Sequence, residues 1–344
     1  MNFSILIQNW YRQNHRKLPW RDSNNPYHIW LSEIILQQTR VEQGLSYYLK
    51  FVDHYPTVKD LAQANEDEIL NDWQGLGYYS RARNLHAAAK QIVNEYQGDF
   101  PKTYKEILSL KGVGEYTASA ISSIAFGTPH AVVDGNVYRV LSRFLNIDEP
   151  IDTTKGKKIF KEAAQELMDR ENPSDHNQGV MELGALICTP VNPKCTACPV
   201  SEQCLGYAEG THLGLPIKSK KVKVKNRYFN YLILQKDNQL LIKKREAGDI
   251  WQGLYDFPLI ETSKDREPNK NELTKLGIKE VNQVGEFKHI LTHQRIYASF
   301  WKAEVSEFPK IAHGLIIRAA EIENYPMPKL LIRYLESAGL IISD

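Results

Sequence analysis

The fold of this chain is decided by one short stretch, Leu-Lys-Gly-Val-Gly-Glu-Tyr-Thr-Ala, at residues 110–118. Apolar residues at helical spacing lie on both sides of it, which predicts a helix before and a helix after. Gly112 and Gly114 permit a tight turn between these helices, because glycine adopts backbone conformations that other residues avoid. The free N–H groups at the start of the second helix then point outward, where they can bind a phosphate. We interpret the stretch as a glycine hairpin between helices; a plain helix–helix turn is the alternative.

The composition is that of an ordinary globular protein with two or three domains. Of the 344 residues, 42% are hydrophobic and 24% are charged, which excludes a disordered chain. No apolar run approaches the roughly 18 residues of a membrane span, and the N-terminal segment lacks the apolar core of an export signal. We therefore expect neither membrane insertion nor export, and a cytoplasmic location.

Charge is nearly balanced overall but uneven along the chain. The 43 basic and 41 acidic residues leave a formal charge of +2, so a local patch must hold any polyanionic partner. Positive residues are concentrated between Lys218 and Arg227, with no acid among them. This segment is either a solvated linker or a tether that lies along phosphates.

The periodicity of apolar residues changes at this basic segment. Helical spacing precedes it, in segments that include 24–48, 81–96, 104–110, 116–126 and 154–170. After it, apolar runs at 228–234 and 240–244 flank Lys-Asp-Asn and predict a hairpin, 296–305 predicts another strand, and about 328–338 predicts a closing helix. The sequence thus predicts an all-α N-terminal part followed by a smaller α+β domain.

A second motif, Val-Val-Asp-Gly-Asn-Val at 132–137, leads from apolar residues through a turn into a new helix. Asp134 is most simply a helix-capping residue. N–H donors and the helix dipole would also keep its carboxylate ionised, which suits it to face a positive charge that develops in a transition state.

A third motif, Trp-Leu-Ser-Glu-Ile-Ile-Leu at 30–36, carries an acid on a largely apolar helix face. Glu33 is either a solvated helix glutamate or a carboxyl whose pKa is raised enough to hold a proton at neutral pH. In the second case, Glu33 and Asp134 form an acid and an anion whose surroundings push their pKa values apart.

All the cysteines of the chain lie close together, at Cys188, Cys195, Cys198 and Cys204. A disulfide framework is disfavoured, since such frameworks belong to exported chains and spread their cysteines along the fold. Four thiolates in one loop favour a metal site. The spacing C-x6-C-x2-C-x5-C leaves zinc and a [4Fe–4S] cluster both open.

The glycine hairpin, the downstream Asp134 and the cysteine loop, in this order, resemble the helix-hairpin-helix DNA glycosylases of the endonuclease III type. Within that superfamily, three stretches and a strand-rich second domain look like the adenine DNA glycosylases of the MutY type. The stretches are Ser-Glu-Ile-Ile-Leu-Gln-Gln-Thr-Arg at 32–40, Gly-Leu-Gly-Tyr-Tyr-Ser-Arg at 75–81 and Val-Asp-Gly-Asn-Val at 133–137. The resemblance runs from about Trp10 to the C-terminus and is strongest over 18–204.

Two positions separate this interpretation from a bifunctional glycosylase/lyase. In those enzymes a lysine two residues after the second hairpin glycine attacks the sugar, whereas this chain has Tyr116. The endonuclease III pattern also lacks an acid that corresponds to Glu33. The resemblance therefore implies a monofunctional hydrolase; the lyase and a non-catalytic iron–sulfur DNA-binding protein are the alternatives.

The resemblance implies a base-flipping mechanism, with wedge residues at Gln38 and Tyr78. Glu33 would protonate adenine N7 and later assist water, while Asp134 would stabilise or trap the sugar cation, as the second carboxylate does in retaining glycosidases. Hydrogen bonds from Tyr116 and Asn136 would hold this arrangement.

The resemblance also implies the domain plan. A catalytic region spans 1–213, with a six-helix barrel at about 21–134 and a cluster domain from 1–20 plus 135–213; a basic linker follows at 214–227. The four cysteines would ligate a [4Fe–4S] cluster that orders a basic loop for phosphate contact.

The C-terminal domain, 228–344, resembles the Nudix-like MutT fold, with Gly-Leu-Tyr-Asp-Phe-Pro at 253–258. It lacks the R-E-x-x-E-E run of active Nudix hydrolases, so the resemblance implies recognition without hydrolysis. In the family an F-S-H loop checks the opposite strand for 8-oxoguanine, and Leu291-Thr292-His293 is the matching stretch. The hydroxyl is retained at Thr292, but the intercalating aromatic is replaced by leucine.

We therefore expect an enzyme that excises adenine opposite 8-oxoguanine, or guanine, from double-stranded DNA in base excision repair. The resemblance further implies a monomer that is associated with the nucleoid in a bacterium.

Overall fold

The computed structural model describes residues 2–219, 224–263 and 267–341. Within the basic segment, Lys220, Lys221 and Lys223 lie outside the described residues. Among the described residues, no helix has both the length and the apolar character needed to cross a bilayer.

The chain divides into two compact units, and each is described by itself. The first comprises Met1–Gln63 and Ala87–Lys221, and the second comprises Ala64–His86 and Val222–Asp344. Residues 64–86, which the sequence assigns to the catalytic region, belong to the second unit.

Helices make up almost all of the regular structure before residue 213. They are α1 (Phe3–Asn14), α2 (Pro26–Leu36), α3 (Val41–His54), α4 (Val58–Gln63), α5 (Glu66–Asp72), α6 (Ser80–Tyr96), α7 (Tyr104–Ser109), α8 (Glu115–Phe126), α9 (Gly135–Phe144), α10 (Thr154–Leu167), α11 (Pro173–Leu186) and α12 (Leu205–Ala208). In the first unit, α11 packs against α1, α8 and α9. Their apolar faces form a core that contains Ile7, Val140, Phe160 and Leu183. This core supports the residues at the start of α9.

The predicted continuous helical segment at 24–48 is wrong. The chain forms α2 and α3 separately, with a break at residues 37–40. Gln38 lies in the left-handed region at a φ of 56°, and a right-handed helix cannot continue through that conformation. The break brings Gln38 to an exposed turn.

The second unit contains a mixed sheet, as the sequence predicts. Its strands are β1 (Lys225–Lys236), β2 (Gln239–Lys244), β3 (Tyr255–Asp256), β4 (Leu259–Thr262), β5 (Asn282–Ile290), β6 (Gln294–Glu304) and β7 (Gly314–Arg318). The order β3-β2-β1-β6-β5 forms the main path, with β1 and β6 parallel and β1 and β2 joined as an antiparallel hairpin. Two helices of this unit follow the basic segment, α13 (Lys270–Thr274) and α14 (Lys329–Ser337).

The two faces of this sheet bury different apolar clusters. On one face α14 contributes Leu330, Leu331 and Tyr334, and the Tyr334 ring stacks on Phe300 with the centroids 4.0 Å apart. On the other face Leu232, Leu273 and Trp301 form a smaller core. The predicted fold class, an all-α core followed by an α+β domain, is confirmed.

Candidate active site

Glu33 and Asp134 line one cavity of about 370 Å³ in the first unit. Glu33 lies on α2, whereas Asp134 immediately precedes α9. Tyr116, Asn136 and Glu182 line the same cavity, and its remaining wall includes apolar side chains such as those of Leu18, Trp20, Ile29, Leu36 and Met181. Its volume falls within the usual range for small-molecule sites. The structure thus brings together the four residues that the sequence predicts as catalytic.

The carboxyl group of Glu33 is held in a poorly hydrated position. The pKa of Glu33 is raised from 4.5 to about 7, mainly by burial and to a smaller extent by the nearby charge of Asp134. A hydrogen bond from Tyr116 and the charge of Arg21 act in the opposite direction. Since burial outweighs these effects, a large fraction of Glu33 is protonated at neutral pH, as the sequence predicts.

The Tyr116 hydroxyl donates to Oε2 of Glu33 at 2.6 Å. Tyr116 lies in the first turn of α8, directly after the glycine hairpin, so the hairpin and the carboxyl group of Glu33 are joined through one side chain. Burial raises the pKa of the Tyr116 phenol well above its usual value. Tyr116 is therefore a neutral donor that fixes one carboxyl oxygen.

Asp134 caps α9. The Val137 backbone N–H donates to its Oδ1 at 2.7 Å, and the Asn136 side-chain amide donates to its Oδ2 at 2.9 Å. These donors lower the pKa of Asp134, as expected for a helix N-terminus, but burial has the larger effect and the net shift is upward. Burial therefore raises the pKa of both carboxyl groups, and the N–H donors that the sequence predicts oppose this shift at Asp134.

Arg139, which the sequence analysis missed, connects this cap to the cysteine loop. Its Nη2 donates to Oδ1 of Asn136 at 2.8 Å and to the carbonyl oxygen of Gly184 at 2.7 Å, and its Nε donates to the carbonyl oxygen of Cys188 at 2.6 Å. A Cβ at Gly184 would lie 2.6 Å from the Asn136 side chain, so a glycine is required where α11 approaches α9. The only sequence signal for Arg139 was its place one helical turn after Asn136.

A second missed feature is a buried carboxylate at the cavity wall. The side chain of Glu182 is only 1% exposed and pairs with the guanidinium groups of Arg16 and Arg21, each at 2.7 Å. These arginines lower the pKa of Glu182 to about 2 despite its burial. Glu182 therefore remains ionised while Glu33 is largely protonated.

The glycine hairpin has the conformation that its sequence predicts. Gly112 has a φ of 76°, which favours glycine strongly. Gly114 is the N-cap residue of α8 and has no side-chain capping bond. A Cβ at Gly114 would meet no protein atom within 4 Å, so packing within the protein does not require glycine there.

The predicted wedge residues occupy exposed turns in the two units. Gln38 and Tyr78 both adopt left-handed backbone conformations, with φ values of 56° and 48°. Tyr78 is 49% exposed, and its hydroxyl lies 2.8 Å from Oγ1 of Thr292. Tyr78 and Thr292 belong to the second unit.

Thr292 and His293 form the exposed tip of the β5–β6 hairpin, which the Leu291 N–H closes by donating to the carbonyl oxygen of Gln294 at 2.8 Å. Leu291, which replaces the aromatic of the F-S-H loop, is half-buried and packs against the core of the sheet. The preceding residue, Ile290, is 68% exposed. The sequence analysis did not identify Ile290 as the apolar side chain that this tip presents.

The four cysteines line a common cavity. Among the described residues, no group of three or more His, Cys, Asp or Glu side chains is arranged to hold a single metal ion. A zinc ion needs four sulfurs about 2.3 Å from one centre, whereas a cluster separates its ligands. Arg143 contacts the Sγ of Cys188 at 3.4 Å and the Thr189 carbonyl oxygen at 2.8 Å. Four cysteine thiols around one cavity are a donor set that fits an iron–sulfur cluster.

Comparison with protein families gives three matches along the chain. Residues 31–168 match the HhH-GPD superfamily of base excision DNA repair proteins, residues 188–204 match the iron–sulfur binding domain of endonuclease III, and residues 230–337 match the NUDIX domain.

Curated relatives extend over most of the chain. An adenine DNA glycosylase of Buchnera aphidicola subsp. Baizongia pistaciae is 38% identical over 300 residues, which cover 86% of this chain and 84% of the relative. The adenine DNA glycosylase of Mus musculus is 33% identical over 357 residues, which cover 97% of this chain and 66% of the relative.

Solved structures resemble the helical part. A thermostable thymine-DNA glycosylase is 33% identical, with a TM-score of 0.56, and the alignment covers 60% of this chain and 95% of that protein. A non-covalent endonuclease III–DNA complex gives a TM-score of 0.52 at 22% identity, covering 60% and 94% of the two chains, and supports the fold alone.

Proposed function

This chain belongs to the adenine DNA glycosylases, and we propose that its preferred substrate is adenine opposite 8-oxoguanine in duplex DNA. The family hydrolyses an N-glycosyl bond in base excision repair and carries a [4Fe–4S] cluster. We further propose which base lies opposite the excised adenine, which residues catalyse the reaction, and that the chain is a monomer.

One observation carries the proposal: a carboxyl group with a raised pKa, that of Glu33, and a capped carboxylate, that of Asp134, line the same cavity. A flipped adenine nucleotide bound in this cavity would meet one carboxyl group that can protonate the departing base and a second that faces the sugar. The apolar wall from Leu18, Trp20 and Leu36 would replace the stacking that the base loses.

In the first step, Glu33 donates its proton to N7 of adenine, and the protonated base becomes a better leaving group. Tyr116 orients the carboxyl group through the bond to Oε2, which leaves the other oxygen to carry the proton. The C1′–N9 bond then breaks, and its electron pair leaves with the base.

In the second step, Asp134 stabilises the positive charge on the sugar, either across space or by a transient covalent bond, as in retaining glycosidases. The Val137 N–H and the Asn136 amide fix the carboxylate oxygens. Water then attacks C1′, and ionised Glu33 accepts its proton. Because Tyr116 replaces the lysine of the lyases, no protein amine at this hairpin position attacks the sugar.

The hairpin would bind the DNA backbone through the N–H groups at the start of α8. The open space around Gly114 supports this role, because a side chain there would occupy the approach of a phosphate. Cys188, Cys195, Cys198 and Cys204 would ligate the cluster, which supplies structural order to its loop.

The tip of the β5–β6 hairpin would recognise 8-oxoguanine through the Thr292 hydroxyl, with His293 beside it and Gln38 and Tyr78 as wedges. The Thr292–Tyr78 hydrogen bond supports this assignment, since it gives the hydroxyl a defined orientation. The chain would act as a monomer, as the resemblance implies.

A cleavage assay under single-turnover conditions tests the proposal. We would compare duplexes with A opposite 8-oxoguanine, A opposite G, T opposite G and C opposite G, each with and without alkali. We expect fastest excision for A opposite 8-oxoguanine, slower excision for A opposite G, and strand breaks only after alkali. Faster removal of T than of A would favour a thymine-specific enzyme instead.

Two outcomes would contradict the mechanism. Strand breaks without alkali, together with efficient borohydride trapping, would indicate a lyase. Undiminished excision by Asp134→Asn and Glu33→Gln would remove both carboxylates from the reaction and favour a protein that only binds DNA. Light scattering should give the mass of one chain, 39.5 kDa; a dimer would contradict the monomer.

A further inference from the structure

One face of the sheet carries exposed cations and tyrosines close to the Thr292–His293 tip. Along β5, Phe287 and His289 are half-buried, whereas Lys288 and Ile290 alternate with them and are exposed. The register pairs Lys288 with Tyr297 and Ile290 with Arg295 on β6. On β1, Tyr228 is paired with Tyr297. We call these five residues, Tyr228, Lys288, Ile290, Arg295 and Tyr297, the basic sheet face.

The side chains of the basic sheet face are already ordered against one another. The rings of Tyr228 and Tyr297 stack with centroids 5.2 Å apart and an interplanar angle of 16°. The Lys288 ammonium lies 5.3 Å from the Tyr297 ring centroid, on the neighbouring strand. Because stacked rings cover each other's faces, their edges and hydroxyl groups are the parts left to contact a ligand. Among the described residues, neither Lys288 nor Arg295 forms an ion pair with an acidic side chain.

We propose that the basic sheet face binds the sugar–phosphate backbone of the DNA strand that the Thr292–His293 tip contacts. The ammonium, the guanidinium and two phenol hydroxyls are donors of the kind that contact phosphate oxygens. Exposed Ile290 supplies an apolar contact for a deoxyribose ring. The inference depends on the proposed contact between Thr292 and the lesion in one respect only, which is the choice of the DNA strand that is bound.

The positive charge of the basic sheet face and its position next to the hairpin tip favour the DNA backbone as its ligand. Arg295 directly follows Gln294, the first residue of β6, so the basic sheet face begins at the hairpin tip itself. The site contains two positive charges and no acid, and it would read no base sequence, because contacts to phosphates carry no sequence information. The nearest acid along β5 on this face is Glu286, which is hydrogen-bonded by Gln283 and marks the end of the site.

The test is the salt dependence of DNA binding by the full chain. For Lys288→Gln/Arg295→Gln, we expect on the order of tenfold weaker binding at 0.1 M salt, and a slope of log Kd against log salt that is smaller by about 2, since two phosphate contacts are lost. The loss should be equal for an undamaged duplex and for A opposite 8-oxoguanine, because the contact is to the backbone.

Two matched variants complete the design. Lys236→Gln/Lys310→Gln makes the same charge change elsewhere in the second unit, and its salt slope should equal that of the parent. Lys288→Arg/Arg295→Lys keeps both charges and should restore most of the affinity.

An unchanged slope for Lys288→Gln/Arg295→Gln would overturn the inference and would leave an acidic protein as the occupant of this face. An equal loss in the Lys236→Gln/Lys310→Gln variant would also overturn it, as an effect of net charge alone. The salt slope on undamaged DNA can be measured even if the parent shows no preference for 8-oxoguanine. Failure of the lesion proposal can therefore be distinguished from failure of this inference.

Discussion

Arg139 joins the cysteine loop to the residues around Asp134, with its Nε 2.6 Å from the carbonyl oxygen of Cys188. The same guanidinium contacts the Asn136 side chain, which donates to Asp134. Three consecutive hydrogen bonds thus connect the cysteine loop to the cap of α9. We therefore predict that the cysteine loop helps to position Asp134.

Replacement of Arg139 tests this connection. In Arg139→Gln, the carbonyl oxygens of Cys188 and Gly184 lose a charged donor, so we expect destabilisation by about 2–4 kcal/mol. Excision should fall more than DNA binding does, because the Asp134 carboxylate loses its orientation. Thermal unfolding, single-turnover excision and duplex binding measure the three effects.

Arg143→Gln is the matched comparison, since Arg143 contacts the same loop but not Asn136. If the excision rate falls in the same proportion to the loss of stability in both variants, Arg139 stabilises the loop and does not position Asp134.

The raised pKa of Glu33 predicts that this residue destabilises the folded chain at alkaline pH. Between pH 4.5 and about 7 the folded state binds more protons than the unfolded state, so stability falls as pH rises through this range. Glu33→Gln removes the charge, and it should be more stable than the parent by about 1–3 kcal/mol at pH 8. At pH 4 the two proteins should differ little. Denaturant unfolding at both pH values measures this, and equal stability at pH 8 would contradict a buried carboxylate.

We predict that the Tyr116–Glu33 hydrogen bond influences the pH range of activity. Glu33 must be protonated to act as an acid, so kcat/KM for excision should fall as pH rises above about 7. The bond from Tyr116 lowers the pKa of Glu33, so its removal in Tyr116→Phe should move this fall to higher pH. The pH profile of subsaturating single-turnover excision records the shift. A fall that moves to lower pH would show that Tyr116 favours the protonated form.

The sequence predicts the two-part fold well because local patterns determine it. Glycine spacing predicts the hairpin at Gly112, and short apolar runs predict β1 and β2, with a further strand at β6. The break at Gln38 could not be predicted, since a left-handed glutamine is stabilised by surroundings and not by its own preference. Arg139 and Glu182 were missed for a related reason: their partners Cys188 and Arg16 are distant in sequence.

The pKa of Asp134 shows the same limit for the candidate site. Its capping bonds are local and were predicted from the Asp-Gly-Asn turn. Its burial outweighs these bonds, so the net shift of the pKa is upward. The resemblance therefore implied which groups meet, but the sequence did not predict the balance of burial and hydrogen bonding around them.

The hydroxyl of Thr292 should determine how strongly the chain prefers 8-oxoguanine over guanine opposite adenine. Thr292→Val keeps the shape of the side chain but removes the hydrogen bond, which is worth about 1 kcal/mol when neutral. We expect the ratio of affinities for duplexes with A opposite 8-oxoguanine and A opposite G to fall by about fivefold. Tyr78→Phe is the comparison, because it removes the partner that orients this hydroxyl and leaves Thr292 intact, so it should lower the ratio less than Thr292→Val does. Equilibrium binding of catalytically inactive Glu33→Gln proteins that carry each change would measure the ratio without excision. A ratio that Thr292→Val leaves unchanged would assign lesion recognition to another part of the second unit.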